Sequence, residues 1–243
     1  MNKPIISILL CTYNRAAFLR EAIESVLTQS FTDWELLILD DASTDNTQAV
    51  VAHYANHDPR IHYFQNEKNL EIATNRNRGL ARAQGQYLAV LDSDDVWLDQ
   101  NKLKKQIEFL ETHPDHALVG TWLRLIDATS QRVGTLRFET SNFAIHRRLL
   151  RSNQFGHSSV LYRLAAAREV GGYNPTLEIG EDYDLWLKLG QTYALANLPE
   201  YATAYRVHHG GITKRKKLTG LWAHLKLIFK YKKDYPLTWR RSS

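Results

Sequence analysis

Cysteine is nearly absent: Cys11 stands alone in 243 residues. No disulfide can form within the chain, which excludes a disulfide-stapled scaffold and suits a reducing compartment. No Cys/His spacing matches a zinc site. No apolar run approaches the ~20 residues that cross a bilayer as a helix. Ile5 to Cys11 is too short and too interrupted for the apolar core of a signal peptide. No Gly-x-Gly-x-x-Gly follows a strand-like segment, so a dinucleotide-dependent oxidoreductase is excluded. Repeats and low-complexity linkers are also missing. The expectation is a cytoplasmic protein unless a partner or surface holds it. Acids, finally, are scarce in one place. Residues 205–243 contain only Asp234, against 11 of the chain's 31 Lys and Arg. The net charge of +5 therefore belongs to the tail, and the body before it is net negative.

What is present is ordinary in amount, with 44% hydrophobic and 23% charged residues, as in a soluble globular protein. Its order is informative. Ile5 to Cys11 reads as a strand, and Phe18, Leu19, Ala22, Ile23, Val26 and Leu27 recur at helical spacing. Glu35 to Leu39 is a second strand, followed by turn residues and a helix from Thr47 to His57. Ile61 to Phe64 is a third strand. Thr74 to Ala83 is a helix, with Gly85 as its stop signal. Tyr87 to Leu91, apolar on both faces, is the central strand. Such alternation predicts an α/β fold with a doubly wound, mostly parallel sheet. After Asn101 a helix runs to about His113, and Ala117 to Leu125 is a strand. The stretch to Gln154 is hard to read, Ser158 to Tyr162 is strand-like, and Leu164 to Val170 is a short helix. Gly180 opens another helix, and Tyr205 to Gly211 has the composition of a loop.

The polar clusters fall where open α/β sheets bind ligands, after the carboxyl ends of strands. They are Thr12-Tyr13, Asp40-Asp41 and the acids Asp92, Asp94 and Asp95. Three acids in four residues repel one another unless something positive lies among them. A divalent cation shared with phosphate oxygens would supply it; an acidic turn capping the next helix is the plainer alternative. Glu181, Asp182 and Asp184 likewise exceed what capping one helix needs.

In order and spacing, seven segments resemble the family-2 glycosyltransferases with the GT-A fold, over residues 5 to 212. They are Ser7-Ile8-x-x-x-x-Tyr13-Asn14, Gln29-Ser30-Phe31, Asp40-Asp41-x-Ser43-x-Asp45-x-Thr47, Arg76-Asn77-x-Gly79, Leu91-Asp92-Ser93-Asp94-Asp95, Gly171-Gly172-Tyr173 and Glu181-Asp182-Tyr183-Asp184-Leu185-Trp186. The resemblance implies transfer of a sugar from a nucleotide-diphosphate donor to a hydroxyl acceptor, with inversion, using Mg²⁺ or Mn²⁺. It places Thr12 and Tyr13 at the base pocket and Asp41 as hydrogen-bond acceptor from the base, which favours a UDP-sugar. Asp92 lies near the donor ribose and metal. Asp94 is the principal metal ligand, supported by Asp95, and Arg76 faces the diphosphate. Asp182 is the general base, with Glu181 on the acceptor side. His208 matches a position that closes on the metal and diphosphate in some members. Two departures stand out. Asn69-Leu70-Glu71-Ile72-Ala73-Thr74-Asn75 replaces the usual glycine and small residues, and 130–156, where the acceptor normally binds, matches no known segment.

Two alternatives remain on sequence alone. Leu91-Asp92-Ser93-Asp94-Asp95-Val96 fits the hydrophobic-Asp-x-Asp-x-Val pattern of haloacid-dehalogenase-type phosphatases, although that family places its nucleophile after the first strand. Lys214-Arg215-Lys216-Lys217 suggests a non-catalytic binding module, but the negative body lacks the basic–aromatic interleaving of a nucleic-acid groove. The chain divides into a glycosyltransferase domain over 1–212, with a nucleotide-sugar half to about residue 100 and an acceptor half beyond it, and a basic tail over 213–243. In that tail Leu218, Leu221, Trp222, Leu225, Ile228 and Phe229 form one apolar stripe on a helix, with Lys226, Lys230 and Lys233 elsewhere around it. Such a helix suits an anionic membrane surface, and so a lipid-linked saccharide acceptor, or packs on the body or a second copy.

Overall fold

The structure, a computed structural model, describes residues 3–207 and 217–235. Its first half is the expected parallel sheet. Strands β1 (Ile6–Thr12), β2 (Trp34–Asp40), β3 (Ile61–Gln65) and β4 (Tyr87–Val90) pair in the order β3-β2-β1-β4. Every residue of β1, β2 and β4 is buried, which is why these segments read as continuous apolar runs rather than alternating ones. Ile6, Ile8 and Leu10 point to one core, and Leu9 and Cys11 to the other. Helices α1 (Ala16–Leu27), α2 (Thr47–Ala55) and α3 (Ile72–Arg82) make the crossovers. At Gly79 of α3, a Cβ would fall 2.2 Å from Leu9 Cδ1. Glycine there lets the helix lie directly on the sheet, bringing Arg76, one turn earlier, under the strand ends.

The second half departs from the expectation of a mostly parallel sheet. After β4 come β5 (Val96–Trp97), α4 (Lys102–Thr112), β6 (His116–Ile126), β7 (Arg132–Leu136), α5 (Asn142–Leu149), a 3₁₀ turn at His157–Ser159, β8 (Leu161–Arg163), α6 (Leu164–Glu169), α7 (Glu181–Thr192), β9 (Ala194–Arg206) and α8 (Lys217–Tyr231). The nine strands form one sheet, ordered β3-β2-β1-β4-β8-β6-β9-β5, with β7 on β6. β8 runs antiparallel to both β4 and β6, and β5 antiparallel to β9. The strand-like stretch Ser158 to Tyr162 is thus a 3₁₀ turn leading into β8, and the unreadable stretch holds β7 and α5. The supposed loop at Tyr205-Arg206 is the end of β9, the longest strand. Its register against β6 jumps between Thr121↔Leu198 and Trp122↔Tyr201. Pro199 and Glu200 bulge out there, the position at which a sheet tolerates proline.

α8 docks on the body. Ala223, Leu227 and Tyr231 are buried, and Leu227, Tyr231 and Tyr235 join the core that holds α7. Among the described residues no helix is long and apolar enough to cross a membrane.

Candidate active site

The ends of β1 and β2 shape one side of the crevice. Thr12 pairs with Asp40 in register, and the Asp41 amide donates to the Thr12 carbonyl (2.9 Å). Both chains then turn through left-handed residues, Asn14 (φ 51°) and Ala42 (φ 65°), a conformation that a non-glycine residue adopts only when its surroundings hold it. The holding contacts are present. Asn14 Oδ1 accepts from the Thr44 amide (2.8 Å), the Asn14 amide donates to Ser43 Oγ (2.9 Å), and Asp45 Oδ2 accepts from the Ala16 amide (3.1 Å). Asp40 belongs to this scaffold, accepting from the Ser43 amide and from Tyr63 OH.

Asp41 differs. Its Oδ1 accepts from Asn66 Nδ2 (2.7 Å) and the Leu70 amide (2.8 Å), while its Oδ2 takes no protein partner among the described residues. Beside it the buried Thr12 Oγ1 also has no hydrogen-bond partner. Two oriented polar atoms left unmatched at a strand end suit a polar ring edge. Tyr13, 47% exposed, stands at the same strand end. Thr12, Tyr13 and Asp41 are therefore together, as the sequence led one to expect.

The three acids after β4 are handled separately. The Asp92 carboxylate accepts from Arg76 Nη2 (2.7 Å) and meets His157 Nδ1 (3.2 Å), and its backbone amide donates to Ser158 Oγ (3.0 Å). Burial pushes the Asp92 carboxyl up, but the His157 and Arg76 charges outweigh it and hold the group well below the usual carboxylate range. Asp95 faces inward. Its oxygens accept from Ser158 Oγ and the Arg206 amide (2.8 Å), and burial together with Asp94 and Asp92 drives its pKa well above the ordinary value. Asp94 is part-exposed, as Asp92 is (side chains 22% and 26% accessible), with Arg15 Nε 3.6 Å from Asp94 Oδ2. The repulsion that suggested a cation is thus relieved largely by Arg76, His157 and burial. Asp95, expected in support of Asp94, is buried with both oxygens engaged within the protein.

Arg76 also differs from expectation. Its guanidinium is buried between Asp92 and Glu181, bonded to each, so it ties two carboxylates together instead of presenting itself free to a diphosphate. Burial raises the Glu181 pKa, with Arg76 opposing and Asp182 reinforcing the shift. Glu181 and Asp182 begin α7 after Gly180, whose φ of 80° needs glycine. Asp182 remains part-exposed, one oxygen accepting from Asn153 Nδ2 (3.2 Å). A chain of contacts Asp92–Arg76–Glu181 therefore sets the acid loop after β4 against the start of α7. Asp184, by contrast, is fully buried and belongs to the α7–α8 contact.

Sequence reading missed His157, Ser158, Arg206 and Asn153. His157 also meets Tyr173 OH through Nε2 (3.1 Å). Arg206 bonds the Asp94 carbonyl (2.7 Å), the Asp127 carbonyl (3.1 Å) and Glu21 (2.7 Å), fixing the acid loop to the end of β9. Only the Gly171-Gly172-Tyr173 segment carried a hint of Tyr173. His208 lies outside the described residues.

Among the described residues no three His, Cys, Asp or Glu side chains are grouped to hold a metal. The part-exposed Asp94 carboxylate, with Asp92 nearby, still fits a hard cation of the Mg²⁺ or Mn²⁺ kind, which is held by one or two carboxylates and completed by waters and phosphate oxygens. A phosphatase nucleophile is a poorer fit for Asp92, because its oxygens are already met by Arg76 and His157.

Comparison with known proteins agrees with this geometry. A family model described as glycosyl transferase family 2 matches residues 7–171. The Bacillus subtilis protein EpsE is 35% identical over 188 residues, which cover 76% of this chain and 66% of EpsE. Escherichia coli chondroitin synthase is 32% identical over 217 residues, covering 88% of this chain but 30% of the synthase. The chain thus spans less than two thirds of either relative. In fold it is similar to S. aureus TarS 1-349 in complex with UDP (TM-score 0.72, 21% identity, 92% of this chain and 64% of that one). It is also similar to the mannosyltransferase PcManGT from Pyrobaculum calidifontis in complex with GDP-Man and Mn²⁺ (TM-score 0.73, 17% identity, 95% and 65%). On the family match and the EpsE identity together, the chain belongs to glycosyl transferase family 2.

Proposed function

We propose that this protein transfers a glycosyl group from a nucleoside-diphosphate sugar to a hydroxyl acceptor with inversion at the anomeric carbon. The observation that carries this reading is the convergence on one crevice of a polar base pocket (Thr12, Asp41), an accessible acid (Asp94) and a second part-exposed acid at the start of α7 (Asp182). Asp41 Oδ2 would accept an N–H from the base, as uridine offers, and the likeness to the TarS and PcManGT complexes supports a nucleoside-diphosphate-sugar donor. Its place would be in cell-surface polysaccharide or glycolipid synthesis, and the likeness to chondroitin synthase supports the polysaccharide part of that reading.

In this mechanism Asp182 takes the proton of the acceptor hydroxyl as its oxygen bonds to the anomeric carbon. The bond from that carbon to the diphosphate oxygen breaks, and the nucleoside diphosphate departs. Arg15, beside Asp94, is placed to meet the leaving phosphate charge. A divalent cation held by Asp94 would add charge neutralisation at the same oxygens. Asn153 orients the base, while Arg76 and Glu181 keep the two acid sites in fixed relation.

Asp182→Asn tests the assignment. Transfer should fall by about 10²-fold or more, while donor binding stays unchanged because proton abstraction and donor binding are separable. NMR of the wild-type product should show an inverted anomer. A retained anomer, or full activity in the variant, would refute direct displacement with Asp182 as base.

A further inference from the structure

α8 buries a different face from the one its apolar stripe predicts. At ~100° per residue, Ala223, Leu227 and Tyr231 share one side, and that side is packed against α7 and the loop before it. His224 stacks on Tyr183 (5.5 Å between ring centroids), and Leu227 lies beside Gly180. Tyr231 OH and Lys230 Nζ both reach the buried Asp184 at 2.8 Å, and Tyr235 OH donates to the Leu187 carbonyl (2.7 Å). Leu221, Trp222 and Phe229 lie on the opposite side and are 57%, 65% and 68% exposed. Of the stripe, Ile228 packs at the edge of the core and Leu225 is half-buried, which leaves Leu221, Trp222 and Phe229 facing outward. Large apolar side chains clustered on one exposed helix face mark an interaction surface.

Charge identifies the occupant. Lys226, Lys232 and Lys233 are exposed around these side chains, and Lys232 Nζ lies 5.3 Å from the Phe229 ring centroid. Asp234 is the sole acid after residue 204. Two copies meeting through this face would bring like charges together, whereas an anionic lipid surface complements them. α5, whose His146 lies 5.2 Å from Tyr235 just after α8, carries the same chemistry: Phe143 is exposed with Arg147 over its ring.

We propose that the outward face of α8 docks this protein on an anionic membrane surface. Because α8 packs on residues 179–184, docking there places the Asp182 side of the crevice next to the lipid headgroups, as a lipid-linked hydroxyl acceptor requires. That orientation rests on the transferase reading above; membrane docking itself does not.

The test is co-sedimentation of the full chain with vesicles of mixed phosphatidylglycerol and phosphatidylcholine, without nucleotide. The wild type should bind them, bind pure phosphatidylcholine far less, and weaken as salt rises. The triple variant Leu221→Gln, Trp222→Gln, Phe229→Gln removes no buried contact and should bind about tenfold less or weaker still, with unchanged melting temperature. Lys226→Gln, Lys232→Gln, Lys233→Gln should lose the preference for anionic lipid. The proposal is overturned if the wild type ignores anionic vesicles at low salt, or if the apolar variant binds them equally well. It is also overturned if light scattering shows a wild-type dimer that the variant dissolves, with no vesicle binding in either. Vesicle binding and sugar transfer are read separately, so each can fail without the other.

Discussion

Lys102 Nζ lies 2.8 Å from Gln106 Oε1 and 4.2 Å from the Trp97 ring centroid, in a fully buried side chain. An ammonium has three donors, and one acceptor plus a ring face does not replace its hydration. Burial accordingly lowers its pKa well below the ordinary lysine value. The sign of the consequence is fixed. The unfolded chain holds the proton up to about pH 10.4 and the folded one releases it earlier, so stability rises with pH across that interval. Lys102→Met should remove this contribution, whose slope is at most about 1.4 kcal/mol per pH unit. Melting curves from pH 7 to 10 should show the wild type gaining on the variant as pH rises. Parallel curves would show that Lys102 stays charged when folded. Among the acids the partners differ: Arg76 and His157 meet Asp92, Ser158 and the Arg206 amide meet the buried Asp95, and Arg15 lies beside Asp94. The acids themselves were legible as a run after an apolar strand. Their handlers were not, because His157 meets Asp92 across 65 residues and Arg206 meets Asp95 across 111.

At the level of elements, β1, β2 and β4 were legible because strands buried on both faces read as unbroken apolar runs. β9 was not, because Pro199-Glu200 interrupts it and only its register against β6 shows that the interruption is a bulge. The approach to α3 was legible as a departure from the family pattern, and the structure gives it a backbone meaning. Glu71, at the N-cap, has φ 67° and ψ 161°, a region that is essentially glycine's own and costs a side-chain-bearing residue about 1–3 kcal/mol. Its side chain makes no capping bond. Glycine would relieve the strain but add about 0.4–1 kcal/mol of unfolded-state entropy. Glu71→Gly should therefore stabilise the protein by about 1 kcal/mol, read as a higher urea midpoint at unchanged m. A lower midpoint would mean that the Glu71 side chain makes a stabilising contact.

Across the whole molecule, the parallel half delivers Thr12, Asp41 and Asp94 to one crevice, and the mixed half delivers His157 and the start of α7 to its other wall. The Asp92–Arg76–Glu181 chain joins the two walls. The crevice is proposed to hold a nucleoside diphosphate whose phosphates are met by Arg15 and by a divalent cation held at Asp94. The most direct measurement is thermal stabilisation by a panel of nucleoside diphosphates with and without Mn²⁺, for the wild type and Asp94→Asn. Ligand at 100 times its Kd adds about 2.7 kcal/mol, and a chain of this length gains about 2–4 °C per kcal/mol. A shift of about 5–10 °C is expected with UDP and Mn²⁺, largely lost in a folded Asp94→Asn. The proposal is contradicted if no nucleoside diphosphate raises the melting temperature, or if Asp94→Asn keeps the full Mn²⁺-dependent shift.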